Sequence, residues 1–392
     1  MVGWTGLSLI RSQSQKWWIT MVEALFRYTP EEVSPPGETL RDMMDERGIS
    51  QAELARRLGR PAQAINEIVG GRKEITEDTA LELERVLQVP ARFWLARESR
   101  YREYLARQRA AEAGRSALPW LKQFPIKSLQ ACGVLPAGRL TESVQESFVE
   151  PLLRFFGVAS PDGWQAQYSA LQAQFRRARP EKQTDVAAIT AWLRMGEIEA
   201  AKRTVSDYDA AALEACLPQM RTLSQQPAAD IGRELVRMCS SVGVVLVFVP
   251  ALPGTHVSGV ARWLNGKPLI QLSLLGKWND VFWFSFFHEV GHVLKHPQRA
   301  VFLDDASSGE TVNSVEEQEA NRFASEVLLP KQFRAELMGL ALTASAVKNL
   351  AQRIGVHPGI VVGQLQHHQR ILYSHPLTRL KARYEIAPPT SK

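Results

Sequence analysis

The chain has 392 residues, 45% of them hydrophobic, so it is long enough for two or three globular domains with cores of their own. Its net charge of +6 permits an anionic partner without requiring one. The three cysteines are far apart and form no CxxC pair, which excludes a cysteine zinc finger and indicates reduced thiols in a cytoplasmic protein. No run of eighteen apolar residues occurs, so no membrane span is predicted.

The start of the chain gives few signals of structure. It lacks a positively charged segment followed by an apolar stretch, so a signal peptide is not predicted. We expect residues 1–33 to form a poorly ordered extension, and Met21 is an alternative start of the protein.

Short amphipathic helices are predicted over residues 34–110. Ser50, with Glu53 three residues later, predicts the capped start of one helix, and Gly59 predicts its end. Pro61 then begins a further helix. A helix, a tight glycine turn and a second helix form the arrangement that places the second helix in the major groove of DNA.

Basic and amide side chains cluster around this second helix. Arg60, Arg72 and Lys73 are predicted to contact DNA phosphates, because basic residues outnumber acidic ones locally. Gln63 and Asn66 are one turn apart and can pair with the edges of adenine bases. DNA is therefore the predicted partner. The alternative is a small helical bundle whose arginines are only solvated.

The stretch from Ser34 to Tyr101 resembles the lambda-repressor-like (Xre) helix-turn-helix of HigA-type antitoxins. The resemblance includes the leading PGE, the GRKEIT turn and the closing FWLARESRY. It implies a homodimer that binds an operator, represses its own operon and neutralises a cognate toxin. The residue pattern by itself predicts only DNA binding.

A helical middle region is predicted over residues 111–229, and we find no chemistry in it. We expect it to space the two ends of the chain or to receive a partner. The segment before it, 90–109, is rich in arginine, and a solvated face is favoured over a phosphate-contacting helix.

Strand signals begin at Val242. The run VGVVLVFV predicts a buried strand. Asn265 and Gly266 stand between two apolar runs and predict a two-residue hairpin.

The stretch VFWFSFFHEVGHVLKH, Val281–His296, predicts a buried helix that carries a metal site. His288 and His292 are four residues apart and project from one face, where both can bind one zinc ion. Glu289 has the position of the general base in the HExxH pattern. The alternative is a helix that carries two histidines by accident.

A third ligand is expected from the helical segment SVEEQEANRFASEVLLP, Ser314–Pro330. Glu319 and Glu316 border its apolar stripe, and packing of this helix on the first would bring one of them to the zinc. His296 is excluded, because three ligands along one straight helix cannot surround one ion. The residues leave the choice between the two glutamates open.

HEVGH followed by EQEANRFASEVLLP resembles the ImmA/IrrE family of zinc metallopeptidases, over roughly Asp230–Ile386. The resemblance implies a zinc-dependent endopeptidase that acts on a protein, and it assigns Glu319 as the third ligand. In zinc peptidases of this general build, an edge strand before the HExxH helix pairs with the extended substrate. A strand of the predicted hairpin is expected in that role; the alternative is an edge strand that pairs with nothing.

The segment Leu350–His368 repeats the Leu-Ala-x-Arg-x-Gly pattern that begins at Leu54. It lacks a basic cluster, so a packing repeat is favoured over a second DNA-binding helix-turn-helix.

These signals predict a mainly α protein with an α+β C-terminal part. A lambda-repressor-like helical bundle over 34–110 precedes the helical middle region, and a zincin-like metallopeptidase domain with a small sheet covers 230–392. The predicted function is a DNA-binding regulator with a zinc peptidase that cleaves or binds a cognate toxin or repressor. The alternative is a non-enzymatic antitoxin whose zincin fold only binds a toxin or ligand.

Overall fold

The computed structural model describes residues 33–139, 141, 145–178, 185–255, 257–273, 277–296, 302–305 and 315–384. The chain divides into two compact units, Met1–Arg115 and Ser116–Lys392. The predicted extension lies, apart from residue 33, outside the described part. No helix in the described ranges is both long and apolar enough to cross a membrane.

The described part of the first unit is helical: α1 (Pro36–Glu46), α2 (Gln51–Leu58), α3 (Ala62–Val69), α4 (Glu77–Leu87) and α5 (Ala91–Ser116). Helix α2 begins and ends at the residues that the sequence predicted. The Ser50 hydroxyl accepts a hydrogen bond from the backbone N–H of Glu53 at 3.2 Å, and Gly59 ends the helix with a φ of 67°. The buried core of this unit includes Leu40, Leu54, Ile65, Leu83 and Trp94.

The described part of the second unit contains α6 (Leu118–Leu121), α7 (Ile126–Ala131), α8 (Val149–Phe156), α9 (Pro161–Ala178), α10 (Val186–Ala201), α11 (Ala210–Thr222), α12 (Ala228–Ser241), α13 (Asn279–Lys295), α14 (Val315–Leu328), α15 (Arg334–Gly339), α16 (Ala344–Ile354) and α17 (Pro358–His367). Its strands are β1 (Val245–Phe248), β2 (Val257–Leu264), β3 (Lys267–Leu272), β4 (Lys277–Trp278), β5 (Phe302–Asp305) and β6 (Arg383–Tyr384). The fold is therefore mainly α with an α+β part, as predicted.

The larger sheet has the strand order β1-β3-β2-β5. The predicted hairpin joins β2 to β3, and Asn265 and Gly266 adopt the positive φ values, 51° and 78°, that a two-residue turn with right-handed twist requires. Both hairpin strands are nevertheless interior, because β1 pairs with β3 and β5 pairs with β2. The expectation that a hairpin strand forms the sheet edge is wrong, since β5 lies there.

Alternate residues of the sheet contribute to two different cores. Val245 and Val247 of β1 join a core that contains the aromatic side chains of α6 to α10, and Trp192 of α10 donates a hydrogen bond to the backbone oxygen of Val249. Leu246 joins the other core, which contains α13. The sheet is thus enclosed by helices on both faces, and helices of the middle region cover one of them.

The repeat seen at Leu350 is also a helix-turn-helix in structure. Gly355 separates α16 from α17 with a φ of 83°. Ile360, Val361 and Val362 of α17 are at most 1% exposed. A helix buried on this scale cannot lie in a DNA groove, which supports the interpretation as a packing repeat.

Candidate metal centre and nucleic-acid interface

Helices α13 and α14 pack closely across a glycine. A Cβ atom at Gly291 would lie only 3.1 Å from Phe323 Cδ1 and 3.3 Å from the Cα atom of Ala320. Ala320 and Ala324 of α14 are fully buried. The glycine of HEVGH and the small residues of α14 therefore let the two helices approach, which brings side chains of α14 onto the histidines of α13.

Three potential ligand atoms converge where the helices cross. His288 Nε2 lies 3.3 Å from Glu317 Oε2, and His292 Nε2 lies 3.4 Å from Glu317 Oε1. The two Nε2 atoms are 2.9 Å apart. Zinc bonds of about 2.0–2.1 Å at tetrahedral angles place ligand atoms about 3.4 Å from one another. Two imidazoles and one carboxylate at this spacing fit a catalytic zinc site.

The carboxylate at the histidines belongs to Glu317 and not to Glu319, which the resemblance had assigned as the third ligand. Glu317 shares a helical face with Ala324 and Leu328, seven and eleven residues on, and this face meets α13. Glu319 lies on another face, half exposed, with Oε2 3.6 Å from His296 Nε2. Glu316 also stays outside the group of three. A helical wheel of the whole segment places Glu317 on the same face as the apolar stripe, and this signal could have identified it from the sequence.

The ionisation of His292 and Glu317 suits a cation. Burial is the main cause that lowers the pKa of His292, so its imidazole is neutral at neutral pH. Burial alone would raise the pKa of Glu317, but the adjacent imidazoles of His288 and His292 outweigh it and hold the pKa at about 2. Neutral imidazoles and an ionised carboxylate are the forms that bind metal.

The predicted general base lies beside the sheet. Glu289 is 0% exposed, and a Cβ atom at Gly259 of β2 would be 2.6 Å from its Oε1 atom. Any larger residue at that point of β2 would displace the carboxylate. The pairing of β2 with β5 is irregular between Val257 and Gly259, and such irregularities often adjust the strand next to an active site.

Helix α3 of the first unit exposes the two amides singled out in the sequence. Ala64, Ile65, Ile68 and Val69 are buried, whereas Gln63 and Asn66 are exposed on the opposite face. The Gln63 amide donates a hydrogen bond to Glu67 Oε1 at 3.0 Å. A hydrogen bond to the edge of a base could replace this contact.

The basic residues near α3 do not form one group. Arg72 and Lys73 are exposed. Arg60 instead donates two hydrogen bonds to the Glu82 carboxylate on α4, at 2.5 and 3.3 Å. That ion pair links the turn before α3 to another helix of the unit, so Arg60 has a partner within the protein where a phosphate contact was predicted.

Comparison with known families covers both units. Residues 40–94 match the sequence model of the helix-turn-helix family, and residues 277–365 match that of the IrrE N-terminal-like domain, a peptidase family. No curated protein matches the chain.

Similar solved structures each cover about a fifth of this chain. The Pseudomonas aeruginosa antitoxin HigA, solved with the higBA promoter, is 38% identical over 19% of this chain and 83% of its own, with a TM-score of 0.19. A second Pseudomonas aeruginosa protein, in complex with its operator DNA, is also 38% identical, over 19% of this chain and 84% of its own, with a TM-score of 0.19. A HigA-family antidote protein from Coxiella burnetii is 28% identical over 21% of this chain and 89% of its own, with a TM-score of 0.20.

Proposed function

Because this chain joins a helix-turn-helix DNA-binding domain of the HigA antitoxin type to an IrrE-like peptidase domain, we propose that it is a transcriptional regulator with zinc-dependent endopeptidase activity. The proposal of peptidase activity rests on the convergence of His288, His292 and Glu317. Glu289 is buried on the same helix as the histidines.

In this mechanism His288, His292 and Glu317 would hold a zinc ion. Bound there, zinc would supply a Lewis acid for the activation of water and the polarisation of a peptide carbonyl. Glu289 accepts the proton that the attacking water loses and delivers it to the leaving amine, the double role of a general base and acid. Its burial beneath β2 keeps the carboxylate in one place and away from bulk water.

Metal analysis combined with a cleavage assay tests the peptidase. His288→Ala is expected to lose bound zinc, and Glu289→Gln is expected to keep zinc and lose hydrolysis of its protein substrates. The substrates to assay are the chain itself, an unfolded general protein and any protein encoded beside it. His367→Ala, at the exposed end of α17, is the matched control and should behave as the wild type. Wild-type cleavage by Glu289→Gln would contradict the mechanism.

In the first unit α3 is proposed to lie in the major groove of an operator. Gln63 and Asn66 would contact base edges, and Arg72 and Lys73 would contact phosphates. The binding species is proposed to be a cytoplasmic homodimer, because dimers of helix-turn-helix proteins bind two half-sites of an operator.

One observation favours a second candidate, a non-enzymatic antitoxin. The outer edge of β2, next to Glu289, is paired with β5, so an extended substrate cannot pair with β2 while β5 stays there. In this case the second unit would bind a toxin without cleaving it. Neutralisation of a neighbouring toxin by Glu289→Gln, with no cleavage by the wild type, would support this candidate over the peptidase.

A further inference from the structure

His288 is held by two side chains of α14, one at each ring nitrogen. Its Nε2 atom lies 3.3 Å from Glu317 Oε2, and its Nδ1 atom lies 3.0 Å from Asn321 Oδ1. Glu317 and Asn321 are four residues apart, so both project from the same side of the helix, one turn from each other. The imidazole is only 1% exposed, which leaves little room for water to replace either contact.

The amide oxygen of Asn321 determines which nitrogen of His288 carries hydrogen. An amide oxygen only accepts hydrogen bonds, so the Nδ1–H group donates to it. In the neutral ring the lone pair is then on Nε2, which faces His292 and Glu317. The other tautomer would direct an N–H group into the space between the three ligand atoms and prevent Nε2 from binding metal.

We propose that Asn321 is a positioning residue, which fixes the tautomer and the ring orientation of His288 for metal binding. The role rests on the proposed zinc site but adds a residue that neither the HExxH pattern nor the three ligands include. Partners that bond the outer nitrogen of a metal-binding histidine typically contribute 10- to 100-fold to metal affinity.

The same geometry explains why α14 supplies two groups rather than one. His288 and His292 occupy positions i and i+4 of α13, and Glu317 and Asn321 occupy i and i+4 of α14. The carboxylate contacts Nε2 of both histidines, and the amide contacts Nδ1 of His288. A shift of α14 along its axis would therefore disturb ligand and positioning residue together.

Zinc affinity, measured by competition with a chromophoric chelator, separates this role from simple packing. Asn321→Leu keeps a similar volume without an acceptor and should lower zinc affinity about 10- to 100-fold. Asn321→Asp restores an acceptor oxygen and should return the affinity to within a few-fold of the wild type. Gln318→Leu, an exposed amide on the same helix, is the control and should leave it unchanged.

A second measurement does not require metal. Long-range ¹H–¹⁵N NMR spectra of the metal-free protein should show hydrogen on Nδ1 of His288 in the wild type and in Asn321→Asp, and a loss of that preference in Asn321→Leu. Asn321→Ala gives the same comparison if the leucine variant does not fold.

Unchanged zinc affinity and an unchanged tautomer in Asn321→Leu or Asn321→Ala would overturn the role of Asn321, with the zinc site intact. An equal loss in Asn321→Asp and Asn321→Leu would also overturn it, because the acceptor would not be what matters. A wild-type protein with no affinity for zinc would overturn the proposed peptidase, and this role with it.

Discussion

Glu317 and Glu319 are two residues apart on α14 but lie in different surroundings. Because only Glu317 reaches both histidines, Glu317→Gln should lower zinc affinity by more than the roughly 10- to 100-fold typical of groups outside the ligand set. Glu319→Gln, which removes a half-exposed carboxylate, should keep wild-type affinity. Zinc titration of both variants checks this. The reverse pattern would restore the assignment of Glu319.

The histidines and Glu289 were predictable because four residues of helix fix their relative positions. The carboxylate that meets the histidines was not fixed in this way, since its place depends on how α14 is rotated about its axis against another helix. That rotation follows from Ala320 and Phe323 packing at Gly291. Asn321 was missed for the same reason, although it stands one turn from Glu317.

At the DNA surface, base contacts and phosphate contacts should respond differently to mutation. Asn66→Ala should cost roughly 1 to 3 kcal/mol on the operator and little on random DNA, because base-edge contacts discriminate between sequences. Lys73→Ala should weaken binding to both duplexes and reduce the salt dependence by about one ion. Titrations against both duplexes at several salt concentrations distinguish the two. Equal losses on both duplexes for Asn66→Ala would contradict the assignment of α3.

Arg60→Ala is the matched comparison for Lys73→Ala. Its guanidinium is paired with Glu82, so the change should leave the salt dependence of DNA binding unaltered. Because that pair is partly exposed, its loss should lower the free energy of unfolding by at most about 1 kcal/mol.

Among the elements, α3 and α17 each come directly after a Leu-Ala-x-Arg-x-Gly helix and its glycine turn. Helix α3 exposes one face, whereas the corresponding residues of α17 are buried. Val362→Asp would bury an unpaired charge in α17 and should destabilise the second unit by several kcal/mol. His367→Asp, at the exposed end of the same helix, should change stability little. Thermal unfolding of both variants provides the measurement. A wild-type melting temperature for Val362→Asp would mean that α17 is not buried in solution.

The hairpin and the helices were predictable from local pattern, whereas the pairing of β5 was not. β5 pairs with β2 across more than forty residues, and the four-residue run FLDD gives no periodicity from which to infer a partner. Periodicity likewise predicted apolar helix faces in the middle region but could not show which part of the protein those faces pack against. That surface is the sheet, through residues such as Val245 and Val247.

For the whole molecule, the division after Arg115 predicts that each unit retains its own activity. A fragment that ends at Ser116 contains a complete core and the α3 surface, so it should bind the operator, more weakly if dimer contacts lie further along the chain. The fragment 116–392 should bind zinc with wild-type affinity and should not bind DNA. Operator binding by this second fragment would contradict the division.

Glu317 lies 25 residues after His292 in the sequence, and the two meet on facing helices. A metal ion between them would therefore close a loop of the chain in the way that a cross-link does. By the chain-entropy relation for cross-links, a loop of that length is worth about 3.5 kcal/mol. Removal of zinc by a chelator should lower the melting temperature of the second unit and leave that of the first unchanged. The ion would then act as a reversible cross-link, so that metal supply would set the thermodynamic stability of the second unit.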